Sequence, residues 1–197
     1  MILILAAGAS SRMKGRDKLA EKIDGMPLLV HVVQRAVQSG CPVAVTIPDI
    51  SDDRAKLLEG VDGIGMIEVP DAVEGMSASI RAGVGAHSSA DAIMILPGDM
   101  PDITAMEVSE MIAFYERAPK NTILRATSEG GVPGHPVIFP HSLFSDLVKL
   151  TGDQGARSVL QRNKCRIMAY PLAANHATTD LDTPEAWEAW RKLNEDG

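Results

Sequence analysis

The sequence predicts a single three-layer α/β domain in which a mainly parallel sheet is covered by helices on both faces. Its 197 residues suit one domain of ordinary size, and neither a repeat nor a linker divides them, so the predicted domain spans residues 1–197. Candidate strands and helices alternate along the chain, which favours parallel strands joined by crossover helices. Two candidate strands, residues 2–6 and 92–96, are wholly apolar, as is typical of strands buried on both faces.

The first half of the chain predicts three strands, each followed by a helix. The apolar run 2–6 ends at Gly8 and predicts a strand in the middle of the sheet. Apolar residues recur at helical spacing from residue 27 to residue 38, and Gly40 follows as a stop signal. The other elements follow from the same patterns. They are strands at residues 43–47 and 65–69, and helices at residues 52–58 and 77–86.

The second half opens with strand 92–96, which ends at Pro97 because proline continues neither a strand ladder nor a helix. Thr104 and Glu107 occupy capping-box positions and predict a helix that begins there and runs to residue 117. The glycine-rich loop 129–134 is a candidate for ligand contact. The remaining predictions are strands at residues 122–126, 135–139 and 166–170 and helices at residues 155–163 and 184–194, the last with Thr183 as its N-cap.

Composition excludes several classes of protein. The formal charge of -7 repels a polyanion, and an aromatic content of 4% leaves few rings for stacking on bases, so nucleic acid is not an expected partner. The two cysteines, Cys41 and Cys165, form neither a disulfide framework nor a metal-ligand spacing, which fits a reducing compartment. The apolar start is too short for a signal peptide or a membrane span. We therefore expect a cytoplasmic protein that does not enter a membrane.

A basic segment follows the first strand. Arg12, Lys14, Arg16 and Lys18 fall within seven positions of a chain that is acidic overall. The small residues 6–11 that precede them let backbone N–H groups approach an anion, and the cations supply charge for a polyphosphate. The segment predicts a triphosphate-binding loop. The alternative is a solvated basic turn between a strand and a helix.

Carboxylates stand at two other places where ligands of such folds bind. Asp99 directly follows a buried strand, at the sheet edge where α/β folds bind ligands, and is the leading Mg²⁺ ligand. Asp180 and Asp182 alternate in an extended segment, so both side chains point to one side and either one is a candidate to complete the metal site. Alternatively, Asp99 caps its own turn, and Asp182 stabilises the start of the last helix.

Six segments resemble the MobA-like nucleotidyltransferase family, in the family's order and over nearly the whole chain. The LAAG opening is similar to the molybdenum cofactor cytidylyltransferase branch, whereas the guanylyltransferase branch typically begins LAGG. The resemblance implies a Rossmann-like three-layer sandwich of the nucleotide-diphospho-sugar transferase type. The segments are LAAGASSRM followed by Lys18, then LPGDMP, GMSASIRAG, GHPVIFP, GDQGAR and DLDTPE.

The resemblance also implies roles for individual residues. Arg12, Lys18 and Asp99 would be catalytic, and Asp99 and Asp180 would bind Mg²⁺. The implied nucleotide-binding residues are Leu5, Ala6, Ala7, Gly8, Ser10, Arg12, Lys18, Pro70, Gly75, Ser77, Ser79 and Gly98. The implied acceptor-binding residues are Gly134, His135, Pro136, Gly152, Asp153, Gly155 and Asp182. Structural alternatives remain open: Ser77 as a helix cap, His135 as a structural polar residue, and Asp153 with Gly155 as a simple turn.

These observations together predict a Mg²⁺-dependent nucleotidyltransferase. It would transfer CMP from CTP to a phosphorylated acceptor, with the molybdenum cofactor, molybdopterin, as the expected acceptor and pyrophosphate as the product. One alternative keeps the chemistry and uses GTP, or a sugar or alcohol phosphate. Another is a non-catalytic module that binds a nucleotide or cofactor. A molybdoenzyme or chaperone is an expected protein partner.

Overall fold

The computed structural model describes residues 1–195, so the last two residues of the predicted domain lie outside the described part of the chain. Nine strands and seven α-helices occur in residues 1–195. The strands are β1 (Ile2–Leu5), β2 (Lys22–Ile23), β3 (Met26–Pro27), β4 (Val43–Ile47), β5 (Ile64–Glu68), β6 (Ala92–Pro97), β7 (Ile123–Thr127), β8 (Pro133–Pro140) and β9 (Ile167–Pro171). The helices are α1 (Leu28–Gln38), α2 (Asp53–Leu57), α3 (Met76–Ala86), α4 (Ala105–Arg117), α5 (Phe144–Leu147), α6 (Arg157–Arg162) and α7 (Pro184–Glu195).

Seven of the strands form one sheet in the order β5-β4-β1-β6-β8-β7-β9. β1 pairs in parallel with β4 on one side and with β6 on the other. Only β8 runs against its neighbours, since its pairings with β6 and with β7 are antiparallel whereas β7 and β9 pair in parallel. The predicted mainly parallel sheet is confirmed, and the two wholly apolar strands are adjacent at its centre.

Alternate residues of the central strands feed two separate cores, one on each face of the sheet. Ile2 and Ile4 pack with apolar residues of α1, α4 and α7, whereas Leu3 packs with those of α3, α5 and α6. Strand side chains point alternately to the two faces, so a continuous apolar run is what a middle layer requires. The three-layer arrangement is therefore confirmed.

The differences from the predicted elements have local causes. The hairpin of β2 and β3 was not predicted, although Asp24-Gly25 between them has positive φ at both residues, the geometry that an Asp-Gly turn favours. The four-residue helix α5 was also missed, because it is too short to show a period. The helix predicted at 155–163 begins at Arg157, since Gly155 has a φ of +52°.

The helices differ in how they begin. The predicted capping box of α4 is present, with reciprocal bonds between Thr104 and Glu107. Ser77 does not cap α3, because Gly75 occupies the N-cap position. None of the helices in residues 1–195 combines the length and apolar character needed to cross a bilayer.

Candidate active site

The loops that follow β1 and β6 meet at the centre of the sheet. Leu5 at the end of β1 lies opposite Pro97 at the end of β6, so the residues after both strands leave the sheet at the same edge. A cleft of about 830 Å³ lies at this edge. Its walls come from both loops, from the start of α3, from the start of β8 and from residues 177–182. This is the edge at which open α/β sheets bind ligands.

Lys18 lies between two carboxylates in this cleft. Its Nζ donates to Asp99 Oδ2 at 2.5 Å and also to Asp182 Oδ1. Arg12 donates to the other oxygen of Asp182, with 2.5 Å between Nη1 and Oδ2. Burial by itself lowers the pKa of Lys18, but the charges of Asp99 and Asp182 outweigh it and raise the pKa above its usual value. Lys18 therefore stays positively charged and is held in place by the two carboxylates.

Asp99, Asp180 and Asp182, three of the four aspartates that line the cleft, are neutralised unequally. Burial acts to raise the pKa of Asp182, but Lys18 and Arg12 outweigh it and hold that pKa below its usual range. The pKa of Asp180 is raised, first by burial and then by the charges of Asp182 and Asp99. Asp99 Oδ1 is buried and has no hydrogen-bond partner among residues 1–195. Negative charge therefore remains uncompensated on the side of Asp99 that Lys18 does not bind.

Asp99 and Asp180 have the chemistry to hold a divalent cation. Mg²⁺ prefers carboxylate oxygens and keeps waters or phosphate oxygens as its other ligands. The orphaned Asp99 Oδ1 and the repelled Asp180 carboxylate suit one such ion. Within the described residues, no group of three or more His, Cys, Asp or Glu side chains could hold a metal by itself. An ion here would thus take water or phosphate oxygens as its other ligands.

The two alternative roles for these aspartates are not what the geometry gives. Asp99 binds Lys18 rather than its own turn. The cap of α7 is Thr183, whose Oγ1 accepts from the N–H of Ala186 at 3.1 Å, so Asp182 is not needed there. Both carboxylates therefore face the cleft and its cations.

The basic segment after β1 forms a loop that contains a short 3₁₀ helix, Ser11–Met13, and then a left-handed Lys14 at φ 54°. Arg12 and Lys18 point toward the carboxylates of the cleft. Lys14 instead pairs with Glu185, and Arg16 pairs with Glu21. Of these four cations, two are therefore directed into the cleft. The sequence pattern could not distinguish the two cations that face the cleft from the two that pair elsewhere, because all four recur at every second position.

Sequence reasoning missed Arg54 and Asp17, which support this loop from behind. Arg54 in α2 has a side chain that is 7% exposed and forms an ion pair with Asp17 at 2.7 Å. Its guanidinium also donates to the carbonyl oxygens of Ala6 and Gly8. The sequence carries no signal for this role, because Arg54 stands in an ordinary polar helix start, 46 residues beyond Gly8.

The start of α3 and the loop at Asp153 form one wall. Gly75 has a φ of +96°, and a Cβ on it would lie 2.3 Å from Asp153 Oδ1, so only glycine fits. The same oxygen accepts from the N–H of Met76 at 3.2 Å. Ser77 is fully buried and its hydroxyl donates to the carbonyl of Thr151. Residues predicted for the nucleotide and for the acceptor thus meet at this wall.

Another wall of the cleft depends on Gly134. A Cβ there would lie 1.8 Å from the carbonyl oxygen of Ala177, and the N–H of His135 donates to that oxygen at 2.8 Å. This close approach brings the segment with Asp180 and Asp182 against β8. His135 Nδ1 is buried without a partner among residues 1–195, and burial, helped by the Arg125 charge, lowers the pKa of His135 to about 4. The His135–Pro136 peptide bond is cis.

The cleft contains most but not all of the predicted site residues. Those that line it are Leu5, Ala6, Gly8, Ser10, Arg12, Lys18, Gly75, Ser79, Asp99, Gly134, His135, Asp153, Asp180 and Asp182. Those that do not line it are Ala7, Pro70, Ser77, Gly98, Pro136, Gly152 and Gly155. Several of the second group shape the walls from behind: Ala7 packs with Val69 and Ala78, and Gly155 lies against Met76.

Comparison with known proteins adds relatives for the chain. The profile of the MobA-like NTP transferase domain matches residues 2–167. The bifunctional protein GlmU of Koribacter versatilis is 31% identical over 195 residues, which cover 93% of this chain and 41% of that protein. The molybdenum cofactor guanylyltransferase of Serratia proteamaculans is 29% identical over 161 residues, 80% of this chain and 76% of the relative. The chain thus spans less than half the length of the GlmU relative.

Solved structures share the fold. The Rv0371c homologue from Mycobacterium sp. strain JC1 superposes with a TM-score of 0.80 at 28% identity, over 98% of this chain and 94% of that one. Rv0371c of Mycobacterium tuberculosis H37Rv, solved in complex with manganese, superposes with a TM-score of 0.75 at 21% identity, over 100% and 98% of the two chains.

Proposed function

The chain belongs to the MobA-like NTP transferase domain family, and from this premise we propose that it transfers a nucleotide from a nucleoside triphosphate to a phosphorylated acceptor. The observation that carries the proposal is the position of Lys18 between Asp99 and Asp182, with Arg12 beside them. Two cations at the mouth of a cleft suit a triphosphate, and their carboxylate partners suit its counter-ion.

The transfer requires little covalent chemistry from the protein. An oxygen of the acceptor phosphate forms a bond to the α-phosphorus, the bond from that phosphorus to the β-phosphate oxygen breaks, and pyrophosphate leaves with the electron pair. The acceptor phosphate is already an anion, so a general base is not required. Arg12 and Lys18 orient the triphosphate and stabilise the charge that develops on its α-phosphate.

Binding of the triphosphate involves an exchange of partners by Lys18. In the structure, both of its acceptors are carboxylate oxygens. A phosphate oxygen in the cleft competes for the same ammonium group, which has three donors and a flexible stem. We propose that Lys18 turns from Asp182 toward the α-phosphate while Arg12 keeps Asp182 neutralised.

Asp99 and Asp180 would hold Mg²⁺ in this scheme. When bound, the ion supplies neutralisation of phosphate charge and fixes the orientation of the triphosphate. The fit rests on Asp99 Oδ1, which is buried without a partner among residues 1–195, and on the charge repulsion at Asp180. The manganese complex of Rv0371c is consistent with a divalent cation in a protein of this fold.

We propose CTP as the nucleotide and the molybdenum cofactor as the acceptor. The LAAG opening supports cytidine, whereas the guanylyltransferase of Serratia proteamaculans supports GTP as the second candidate and molybdenum cofactor chemistry in either case. Ala7 of this opening is buried against Val69 and Ala78, so its effect on base choice is indirect. The acceptor side would comprise Gly134 and His135 on one wall and Asp153 on another. The same proposal has the protein act in the cytoplasm and deliver its product to a molybdoenzyme or a chaperone.

The test is a panel of CTP, GTP, ATP and UTP, each titrated calorimetrically with and without Mg²⁺, followed by pyrophosphate release in the presence of molybdenum cofactor. Mg²⁺-dependent CTP binding with pyrophosphate release supports the proposal, and preference for GTP selects the second candidate. Tight binding without pyrophosphate release would instead establish a non-catalytic binding module.

A matched pair of variants isolates the metal site. Asp99→Asn keeps the side-chain shape and should abolish Mg²⁺-dependent release. Asp102→Asn is the control, because Asp102 lies outside the cleft and accepts from Trp190 Nε1 at 2.7 Å. An unchanged Mg²⁺ titration in folded Asp99→Asn would remove Asp99 from the metal site.

A further inference from the structure

All five N–H donors of the Arg54 guanidinium form hydrogen bonds with the loop after β1. Nη1 donates to Ala6 O at 2.5 Å and to Gly8 O at 2.8 Å. Nη2 donates to Ser10 Oγ at 3.2 Å and to Asp17 Oδ1 at 2.8 Å, and Nε donates to Asp17 Oδ2 at 2.7 Å. A guanidinium has five N–H donors in a rigid plane, so all five are occupied. Arg54 itself does not line the cleft.

The two carbonyl contacts determine where the loop's N–H groups point. In a trans peptide, the C=O of one residue and the N–H of the next point in opposite directions. The peptides after Ala6 and Gly8 are trans. The N–H groups of Ala7 and Ala9 therefore point away from Arg54. Within residues 1–195, neither of them donates to a protein acceptor. Ala9 lines the cleft, so its N–H is available to an anion there.

The same cluster fixes the backbone of Lys18. Asp17 Oδ1 accepts from Ser10 Oγ at 2.8 Å and from the N–H of Leu19 at 3.1 Å. Ser10 Oγ in turn accepts from the N–H of Lys18 at 3.1 Å. We call Arg54, Asp17 and Ser10 the loop clamp. It ties the small residues after β1 to the residue that carries the catalytic ammonium group.

The loop clamp fixes the positions of loop groups and contributes no net charge. Asp17 binds Arg54 through both carboxylate oxygens, so the pair is neutral as a whole. A buried and neutralised guanidinium contributes little attraction to a phosphate in the cleft, but its planar fork fixes four groups of the loop relative to one another. A lysine at this position has three donors without a fixed plane and cannot reproduce the arrangement.

We propose that Arg54 is a positioning residue for triphosphate binding, which it controls by turning the N–H of Ala9, in the loop after β1, toward the cleft. The proposal rests on the proposed function in so far as the cleft binds a triphosphate. It does not depend on which base or acceptor is used.

The experiment compares Arg54→Lys with wild type by calorimetric titration with inorganic tripolyphosphate and with cytidine and guanosine. Tripolyphosphate affinity should fall about tenfold or more, since the variant loses at least two hydrogen bonds that shape the loop. Binding of the nucleoside that wild type accepts should change little. A purely structural role would weaken both probes together, and that result, or an unchanged tripolyphosphate affinity, would overturn the proposal.

Arg166→Lys is the matched control. Arg166 also donates to a backbone carbonyl, that of Asn121 at 2.9 Å, and does not line the cleft. It should retain tripolyphosphate affinity after a comparable loss of side-chain hydrogen bonds. Thermal unfolding of both variants, followed by circular dichroism, shows that each is folded at the titration temperature.

A measurement on wild type covers the case in which Arg54→Lys does not fold. The backbone amide resonance of Ala9 should shift when tripolyphosphate is added, whereas that of Asn121 should not. No shift at Ala9 on saturation would refute the proposal. Pyrophosphate release by wild type is measured separately, so a protein that binds tripolyphosphate through Ala9 but transfers no nucleotide refutes only the proposed function.

Discussion

Lys18 and Asp99 are 81 residues apart in sequence, yet Lys18 Nζ lies 2.5 Å from Asp99 Oδ2. The contact exists because β1 and β6 are adjacent parallel strands and each residue follows one of them. Lys18 satisfies only one oxygen of Asp99, and the other is buried with no partner in residues 1–195. The lysine and a divalent cation would therefore share one carboxylate, and both would bind the triphosphate.

Lys18→Met should raise the affinity for Mn²⁺ in the absence of nucleotide and lower turnover. The lysine neutralises Asp99 and Asp182, so its removal leaves more negative charge for a cation. Turnover should fall about 10²- to 10³-fold, the usual cost of losing one donor to a developing anion. Mn²⁺ titration followed by electron paramagnetic resonance measures the first effect. Lys120→Met, at an exposed site that does not line the cleft, serves as control, and equal Mn²⁺ affinity in both variants would contradict the competition.

Gly134→Ala should destabilise the protein by about 1–3 kcal/mol and reduce turnover, because the added methyl group cannot coexist with the carbonyl of Ala177. That carbonyl must move, and the segment carrying Asp180 and Asp182 moves with it. Urea unfolding and pyrophosphate release measure the two effects. Gly130→Ala is the matched control, since its Cβ would meet only Ser128 Oγ at 3.8 Å. Equal stability of the two variants would show that the close approach is not required.

Thr104→Ala should cost about 1 kcal/mol of unfolding free energy without changing nucleotide binding. The Thr104 hydroxyl accepts from the N–H of Glu107 at 3.1 Å, and the capping box starts a helix that packs away from the cleft. Chemical denaturation measures the loss. Ser109→Ala in the middle of the same helix is the comparison. It should be neutral, because the higher helix propensity of alanine offsets the lost bond from the Ser109 hydroxyl to the carbonyl of Ala105. A Thr104 variant as stable as wild type would mean that the carboxylate of Glu107 caps the helix alone.

The sheet could be predicted from the sequence because period and composition are local signals. The apolar run of β1 and the proline-bounded end of β6 determine which strands are central, and a central parallel strand places the following residues at the ligand edge. The local excess of positive charge around Arg12 and Lys18, in a chain that is acidic overall, then identifies the loop that lines the cleft. Residue type and position after a strand were sufficient for these predictions.

The loop clamp could not be predicted, because its members are brought together only by tertiary packing. Arg54 is distant in sequence from the carbonyl groups that it binds, and its own helix start resembles any solvent-exposed turn. Similarly, spacing alone does not distinguish Lys18, which faces the cleft, from Lys14, which pairs with Glu185 on the surface. The close approach of Gly134 to Ala177 is also invisible in sequence, since it depends on a segment more than forty residues later.

His135 should make the stability of the protein depend on pH below neutrality. Burial, aided by the charge of Arg125, lowers its pKa from an ordinary value of 6.5 to about 4, so the folded protein keeps the imidazole neutral where the unfolded chain protonates it. The contribution to stability is constant above pH 6.5 and falls as the pH drops from 6.5 toward 4. The shift corresponds to about 3 kcal/mol over that window.

His135→Gln removes this titration and should flatten that part of the pH profile. Other groups titrate below pH 5, including Asp17, whose pKa is lowered. They titrate in both proteins, so their contributions cancel in the difference between wild type and variant. Unfolding free energies measured in urea at pH 7.5 and at pH 4.5 give the comparison: the loss between the two pH values should be larger in wild type by about 2–3 kcal/mol. An identical loss would mean that the pKa of His135 is the same in the folded and the unfolded protein. A neutral imidazole at pH 7 would face a phosphorylated acceptor as a hydrogen-bonding group rather than as a cation.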